Sequence, residues 1–457
     1  MNRYTLLLLP LVALAQPAYA QDAAEVAISG ADTAWILMST ALVLLMTPAL
    51  AFFYGGLVRS KDMLNTMMMS FVSLGITGVL WALVAYSLAF GAGSPWLGDL
   101  SMAFLAGVGL EAKGSIPHIL FMAFQGTFAI ITVALISGAI IGRMRFSAYM
   151  LFIAAWILLV YAPVCHWVWG GGWIGGMGAL DFAGGAVVHV NAGIAALVAA
   201  SMLGPRKDYG RQALLPHNVP FVLLGTGLLW FGWFGFNGGS ALGSNGIAAL
   251  AFVNTMLAPA ATAVVWALLD YLRNGKVTAV GLATAIVVGL VAITPAAGFI
   301  SPMFSLLLGA IAAFPSYYLI LWRSRTRLDD SLDVFAAHGV GGLTGALLTG
   351  VFAQQSINGI ADGLLFGNPT QFIIQLGSVV AVLLYSGGIT FGILKVLGLF
   401  MKIRATDKEE GIGLDLTYHG EEAYANGDGT VLLLDEEMNG DGASHGVHVK
   451  PARVAGA

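Results

Sequence analysis

Residues 167–197 read WVWGGGWIGGMGALDFAGGAVVHVNAGIAAL and place an ionisable side chain inside an apolar segment of membrane-spanning length. Asp181 stands at the start of that segment, and His189 follows eight residues later. An ionisable group at membrane depth costs several kcal/mol unless it faces a polar path or a partner. We therefore expect His189 to have a function, although a core histidine bonded to a backbone carbonyl is the alternative.

A second stretch, DSLDVFAAHGVGGLTGALL from residue 330, has the same organisation. His338 lies in its apolar run, and either Asp330 or Asp333 is the acid that precedes it. Glycine follows each histidine four residues later. Two such stretches in two halves of one chain predict an internal repeat with a shared site between the halves.

The composition predicts a polytopic all-α membrane protein surrounded by lipid. Of 457 residues, 58% are hydrophobic and 10% are charged, whereas soluble domains have about 45–50% apolar and about 25% charged residues. The single cysteine, Cys165, excludes an intrachain disulfide and a cysteine-based metal cluster. Two histidines alone leave a metal coordination shell short, so neither a metal nor another cofactor is predicted. No pattern suggests a nucleic-acid partner or an enzyme, because no nucleotide-binding loop and no nucleophile–base set is visible.

The N-terminus, MNRYTLLLLPLVALAQPAYA, predicts a secretory signal peptide over residues 1–20. An uncleaved first helix is the alternative. The transmembrane domain is then expected over 21–401, followed by a polar cytoplasmic tail over 402–457 whose first part is acidic. This tail is either a docking site for a regulator or a solvated end.

Eleven apolar runs of spanning length follow the signal peptide. They fall near residues 32–54, 63–90, 117–141, 146–168, 182–203, 218–236, 245–271, 278–294, 303–322, 337–354 and 370–401. One set of alternate loops carries nearly all the basic residues, and positive loops stay in the cytoplasm. The N-terminus is therefore predicted outside and the C-terminus inside.

These spans predict two inverted five-helix repeats plus one extra helix, because five is an odd number of crossings. The first span of each half ends in an aromatic and glycine corner, AFFYGGL at 51–57 and WFGWFGFNGGS at 230–240, and the last span carries the histidine. Asp181 is either a helix N-cap or a residue that orients the outer mouth. The remaining candidates are Phe124, Phe128, Trp169, Trp233, Phe236 and the hydroxyl of Ser240. The aromatic residues belong either to an interfacial aromatic belt or to a cation-binding mouth, to which Ser240 could add a hydrogen bond, and their spacing does not separate the two interpretations.

At these residues the sequence resembles the ammonium transporter family, which includes bacterial channels and yeast, plant and Rhesus-type relatives. The resemblance runs across nearly the whole mature chain and rests on the motifs AFFYGGLVRSKDMLNT, FMAFQGTFAIIT, DFAGGAVVHVNAG, WFGWFGFNGGSA, NTMLAPAATA, DVFAAHGVGG and GLDLTYHGEEAY. It implies a homotrimer in the bacterial inner membrane with one pore per subunit. It also implies that a trimeric P-II signalling protein binds the tail, although the tail beyond Gly427 is longer than usual for the family.

The resemblance also implies a role for each candidate side chain. The external cation-recruiting site corresponds to Phe124, Trp169 and Ser240. Asp181 corresponds to a buried acid that shapes this site. The stacked phenyl gate corresponds to Phe128 and Phe236, and the lumen to His189, His338 and Trp233.

We hypothesise that ammonium binds at the aromatic mouth and loses its proton, because moving the bare ion into a dry pore carries a large desolvation cost. Ammonia then crosses, with the proton relayed through the imidazoles or left behind. An ammonium sensor that signals through its tail and a Rhesus-like channel for neutral gas are the alternatives.

Overall fold

A computed structural model describes residues 27–212 and 214–424. Its long apolar helices are α1 (Gly30–Leu57), α2 (Ser60–Phe90), α3 (His118–Ile140), α4 (Phe146–Gly176), α5 (Gly185–Leu203), α6 (Val219–Gly239), α7 (Gly246–Asn274), α8 (Ala279–Ile293), α9 (Pro302–Arg323), α10 (Phe335–Phe352) and α11 (Pro369–Phe400). A short hairpin, β1 (Ala112–Lys113) and β2 (Ile116–Pro117), precedes α3. Two short helices, α12 (Asp407–Ile412) and α13 (Leu414–His419), follow α11. The predicted signal peptide and the tail beyond residue 424 lie outside the described residues.

The all-α polytopic membrane architecture is confirmed. Within the described part of the chain, ten helices are long and apolar enough to cross a membrane. The predicted eighth span corresponds to α8, which has 15 residues, whereas a crossing takes about 20. The helix ends there because the chain turns at Thr294 and Pro295 cannot donate a backbone hydrogen bond. Eleven crossings therefore stay a prediction.

The two halves of the chain run in opposite directions. The start of α1 bonds to the hairpin loop before α3 (Ser29 N to Ser115 O, 2.9 Å), and its end accepts a hydrogen bond from His217, just before α6 (2.8 Å). Helix α6 therefore begins where α1 ends and returns to the opposite face. We call the face with His217 the tail face and the other the aromatic face.

Close glycine contacts join α1 to α6. A β-carbon on Gly225 would lie 2.4 Å from the Phe53 nitrogen, and one on Gly232 would lie 2.3 Å from Met46 Cγ. Because lipid is as apolar as the side chains, membrane helices associate through such close backbone packing. Glycines such as Gly225 and Gly232 therefore allow α6 to pack closely against α1.

Buried and partly buried ion pairs hold the tail face together. Arg206 binds Asp329 through two hydrogen bonds of 2.8 Å, and the fully buried Arg143 donates to the Asp329 carbonyl. Arg145 pairs with Glu409 of α12 at 2.9 Å. The basic loops predicted from the sequence thus lie on one face with the tail packed against them.

Candidate functional site

Each half of the chain contains a helix that begins with a carboxylate. The side chain of Asp181 accepts hydrogen bonds from the backbone nitrogens of Gly184, Gly185, Ala186 and Val187, at 2.5–3.1 Å. These are the first amides around the start of α5, which lack intrahelical partners. Asp181 is therefore a helix cap, and the same contacts fix it on the aromatic face.

The corresponding acid of the second half is Asp330. Its buried carboxylate accepts hydrogen bonds from Val334 N (3.0 Å) and Phe335 N (2.7 Å) at the start of α10. Asp333 instead pairs with Arg323. Burial raises the pKa of Asp333 to about 6, although Arg323 opposes this shift. Since Asp181 and Asp330 each lie eight residues before a histidine, the two caps are equivalent.

The two capped helices bring the histidines together. His189 Nδ1 lies 3.3 Å from His338 Nδ1, with ring centroids 5.3 Å apart and planes 24° from parallel. One Nδ1 donates and the other accepts, so this contact consumes one nitrogen of each ring. The Nε2 atom of His189 is buried without a hydrogen-bond partner among the described residues. That nitrogen is available to a molecule in the lumen.

Both histidines lie on wide helical turns. The first turn of α5 (Gly185–Val190) and that of α10 (Phe335–Val340) have π-helical geometry. Such turns are rare and occur frequently at functional sites. The repeat found in the sequence is therefore matched by a repeat in local backbone geometry.

Aromatic rings connect the histidines to the aromatic face. The rings of Phe128 and Phe236 pack together with centroids 4.3 Å apart and planes tilted by 36°, and both are almost completely buried. Beyond them, the ring of Phe236 lies 6.0 Å from that of His189. The Phe128–Phe236 pair therefore lies between the outer aromatic rings and His189.

The residues on the outer side of this pair form a second aromatic group. The ring of Phe128 lies 5.0 Å from Phe124 and 5.9 Å from Trp169. The indole nitrogen of Trp169 donates to the Asp181 carbonyl at 2.9 Å, which links the group to the α5 cap. The hydroxyl of Ser240 donates to the Phe236 carbonyl at 2.8 Å, at the end of α6. Ser240 follows Gly239, where a β-carbon would lie 2.8 Å from Phe124 Cζ.

Trp233 forms the wall beside the first histidine. Its ring stacks on His189 at 5.4 Å and 20°, and its indole nitrogen donates to Thr294 Oγ1 at 2.9 Å. Thr294 directly follows the short helix α8, so the end of that helix supplies a hydrogen-bond partner for Trp233. The sequence did not predict a role for Thr294, because no local pattern indicates which residue an indole will contact.

The lumen is narrow and apolar. A cavity lies beside the two histidines, and its walls include Trp233, Phe236, Leu229 and Val287. Apart from the histidines, the groups that face it are hydrocarbon or aromatic. Such a space disfavours a hydrated ion and accepts a small neutral molecule that can hydrogen-bond.

A pair of glutamines on α11 was also missed. Gln371 and Gln375 are buried and bond to the loop that precedes Asp181. In the sequence, two amide side chains one helical turn apart in an apolar span indicate buried hydrogen bonds, because polar side chains inside a span need partners.

Comparison with known proteins assigns the chain to a family. A family sequence model described as Ammonium Transporter Family matches residues 34–424. An ammonium transporter of Bacillus subtilis (strain 168) is 48% identical over 398 residues, which cover 86% of this chain and 98% of the relative. One of Aquifex aeolicus (strain VF5) is 49% identical over 410 residues, covering 88% and 95%.

Solved structures agree with these sequence comparisons. The crystal structure of Candida albicans Mep2 has a TM-score of 0.79 and 36% identity, covering 84% of this chain and 88% of that one. A structure described as a sensor Amt protein has a TM-score of 0.80 and 30% identity, covering 85% and 98%. The family match over most of the chain, the identities and the shared architecture establish that the protein belongs to the ammonium transporter family.

Proposed function

We propose that this protein recruits ammonium at the aromatic group, where the ion gives up its proton to external water, and conducts ammonia past the two histidines. The contact of 3.3 Å between His189 and His338, inside an apolar lumen, is the observation that carries this proposal. The ordinary activity of the family supports transport, and the geometry of the site supports this order of steps.

Recruitment is assigned to Phe124, Trp169 and Ser240. Aromatic faces attract a cation by about 0.5–2 kcal/mol, with the larger value when the site is desolvated. The carboxylate of Asp181 is occupied by four backbone amides. Its role is therefore to fix the site and to contribute negative charge nearby, without contacting the substrate.

Conduction is assigned to the path below Phe128 and Phe236. The two packed rings exclude an ion with its water shell, and bare ammonium would lose its hydration in the apolar lumen at a large cost. Ammonia carries no charge and can hydrogen-bond to a free imidazole nitrogen. The bonded His189–His338 pair also offers a route by which the proton follows separately, which would make transport electrogenic.

The location and the partners are proposed on the same basis. The basic loops on the tail face support a cytoplasmic tail and an external N-terminus, by the distribution of positive charge. We assign the protein to the bacterial inner membrane as a homotrimer, with residues 1–20 as a cleaved signal peptide. A P-II regulatory protein is the proposed partner at the tail face, where α12 and α13 pack.

Ammonium flux into proteoliposomes tests the proposed function. Wild-type protein is expected to give saturable ammonium uptake that potassium does not inhibit, and Trp169→Ala is expected to raise the half-saturating concentration. Uptake no faster than in protein-free vesicles would contradict the proposal.

A sensor is the second candidate, because the likeness to the protein described as a sensor Amt protein extends over 85% of this chain. A sensor would bind ammonium and alter the association of its tail with a partner while carrying little flux. Flux measured in parallel with P-II binding to vesicles, with and without ammonium, separates the two. Ammonium-dependent binding without flux would favour the sensor.

A further inference from the structure

Gln375 of α11 binds both backbone polar groups of Leu180, the residue directly before Asp181. The Leu180 nitrogen donates to Gln375 Oε1 at 2.7 Å, and Gln375 Nε2 donates to the Leu180 carbonyl at 2.7 Å. One side-chain amide thus satisfies both backbone groups of a single residue, as a neighbouring β-strand would. Gln375 is 2% exposed and Leu180 is 4% exposed, so water does not compete for these bonds.

Further contacts fix the glutamine itself. Gln375 Nε2 also lies 3.2 Å from the Ala346 carbonyl on α10. One turn earlier, Gln371 Nε2 donates to the Gly178 carbonyl at 3.0 Å and lies 3.3 Å from Gln375 Oε1. Contacts with α10 and with Gln371 of α11 therefore orient the Gln375 amide that binds Leu180.

Leu180, which Gln375 binds, lies next to the proposed recruitment site in the sequence. Asp181 follows Leu180 directly, accepts four amides at the start of α5 and receives the Trp169 indole on its carbonyl. A shift of the Leu180 peptide would move both the cap of the histidine helix and the anchor of the recruiting indole. Positions of reacting groups matter at the level of about 1 Å.

We propose that Gln375 is a positioning residue for ammonium binding, through which α11 sets the geometry of the Asp181–Trp169 pair. This inference rests on the proposed function, because it names the residue that orients the recruitment site. It also gives the helix outside the two five-helix repeats a specific task. Gln375 acts through the Leu180 backbone and makes no contact with the substrate.

The test compares two variants of Gln375 with a control on the same helix. Gln375→Met keeps an unbranched side chain but loses both hydrogen bonds to Leu180. Gln375→Asn has a side chain too short to keep both of them. Ser378→Ala is the control. Ser378 lies with Gln375 and Asp181 around one small cavity, but its hydroxyl donates only to Ile374 of its own helix, at 2.7 Å. Each full-length protein is assayed for ammonium flux in proteoliposomes and for amide exchange of residues 178–187.

Loss of the two buried hydrogen bonds to Leu180 is expected to raise the apparent KM for ammonium about tenfold in Gln375→Met and about threefold in Gln375→Asn. The maximal rate should stay within about twofold, and exchange at 178–187 should accelerate in both. Ser378→Ala should match the wild type. If Gln375→Met does not fold, Gln375→Asn alone carries the test.

Two results would overturn the inference: an unchanged KM in the folded Gln375 variants, whether or not amide exchange accelerates, or an equal KM change in Ser378→Ala. Absence of flux in the wild type would instead refute the proposed function. In that case the exchange experiment still reports whether Gln375 holds the loop.

Discussion

Gly193 of α5 packs directly against Gly339 of α10. A β-carbon on Gly193 would lie 2.3 Å from the Gly339 Cα, which is far inside van der Waals contact. A β-carbon on Gly342 would likewise lie 2.9 Å from the His189 Cβ. The glycines that follow each histidine in the sequence therefore set the distance between the two helices, and with it the distance between the imidazoles.

Replacing Gly193 by alanine is expected to separate the helices and the histidines. Overpacking of this kind costs about 1–3 kcal/mol, and we expect ammonium flux to fall at least about tenfold, as it does when reacting groups are displaced. Flux and thermal unfolding in detergent measure the two effects. Gly377→Ala on α11 is the control, because nothing lies within 4 Å of its added β-carbon. Equal behaviour of the two variants would contradict the packing argument.

Asp181→Ala removes the acceptor for four amides at the start of α5. Loss of a helix cap costs about 0.5–2 kcal/mol, and we also expect ammonium binding to weaken because the Trp169 anchor moves. Asp181→Asn keeps one acceptor oxygen and should recover part of the stability. Asp362→Ala is a control on the aromatic face, where the carboxylate caps one exposed amide, that of Gln355, at 2.8 Å. A wild-type KM in Asp181→Ala would refute the assigned role.

The bond between Trp233 and Thr294 can be measured by a double-mutant cycle. Trp233→Phe and Thr294→Val each remove the buried contact of 2.9 Å, and each should destabilise the protein by about 0.5–1.5 kcal/mol from this bond. If the two residues act through one bond, the double variant should be less destabilised than the sum of the single variants. Strict additivity in thermal unfolding would show that the bond contributes nothing.

Docking of the tail is expected to depend on pH through Asp415. Its carboxylate accepts hydrogen bonds from Leu64 N (2.9 Å) and Asn65 N (2.7 Å), while Asp62 accepts one from Leu414 N (3.0 Å). Burial raises the pKa of Asp415 to about 6, and the Asp62 charge adds to this, although the two amides oppose it. In the undocked tail the pKa should be about 3.9.

The docked tail therefore binds more protons between these two values. The contribution of Asp415 to docking is fully present below pH about 4 and is lost as pH rises through about 6. Amide exchange of α13, corrected for intrinsic rates, should show greater protection at pH 5.5 than at pH 7.5. Asp415→Asn should remove this difference. Protection that decreases on acidification, or an identical pH dependence in the variant, would contradict the assignment.

The sequence predicted the helices well because apolar length is a local property. It also predicted the pairing of His189 with His338, because an ionisable residue in an apolar span stands out without any tertiary information. The choice between Asp330 and Asp333 stayed open, since both precede the second histidine. The structure decides it through a tertiary contact, the ion pair between Asp333 and Arg323.

Other features depend on contacts between distant parts of the chain. The apolar run at 278–294 predicts a full span, yet the helix that forms there, α8, has only 15 residues. Thr294 and Gln375 have roles only because Trp233 and Leu180 lie next to them, more than 60 residues away in sequence. The wide turns that carry the histidines have no recognised sequence pattern.

Electrical recording from proteoliposomes after an ammonium jump tests the central claim most directly. Wild-type protein and the folded double variant His189→Leu with His338→Leu are compared at matched protein density, with potassium as the competing ion. We predict a saturable ammonium current in the wild type and a loss of at least about tenfold, or a loss of selectivity over potassium, in the double variant. The same current and the same selectivity in both proteins would contradict a function for the paired imidazoles.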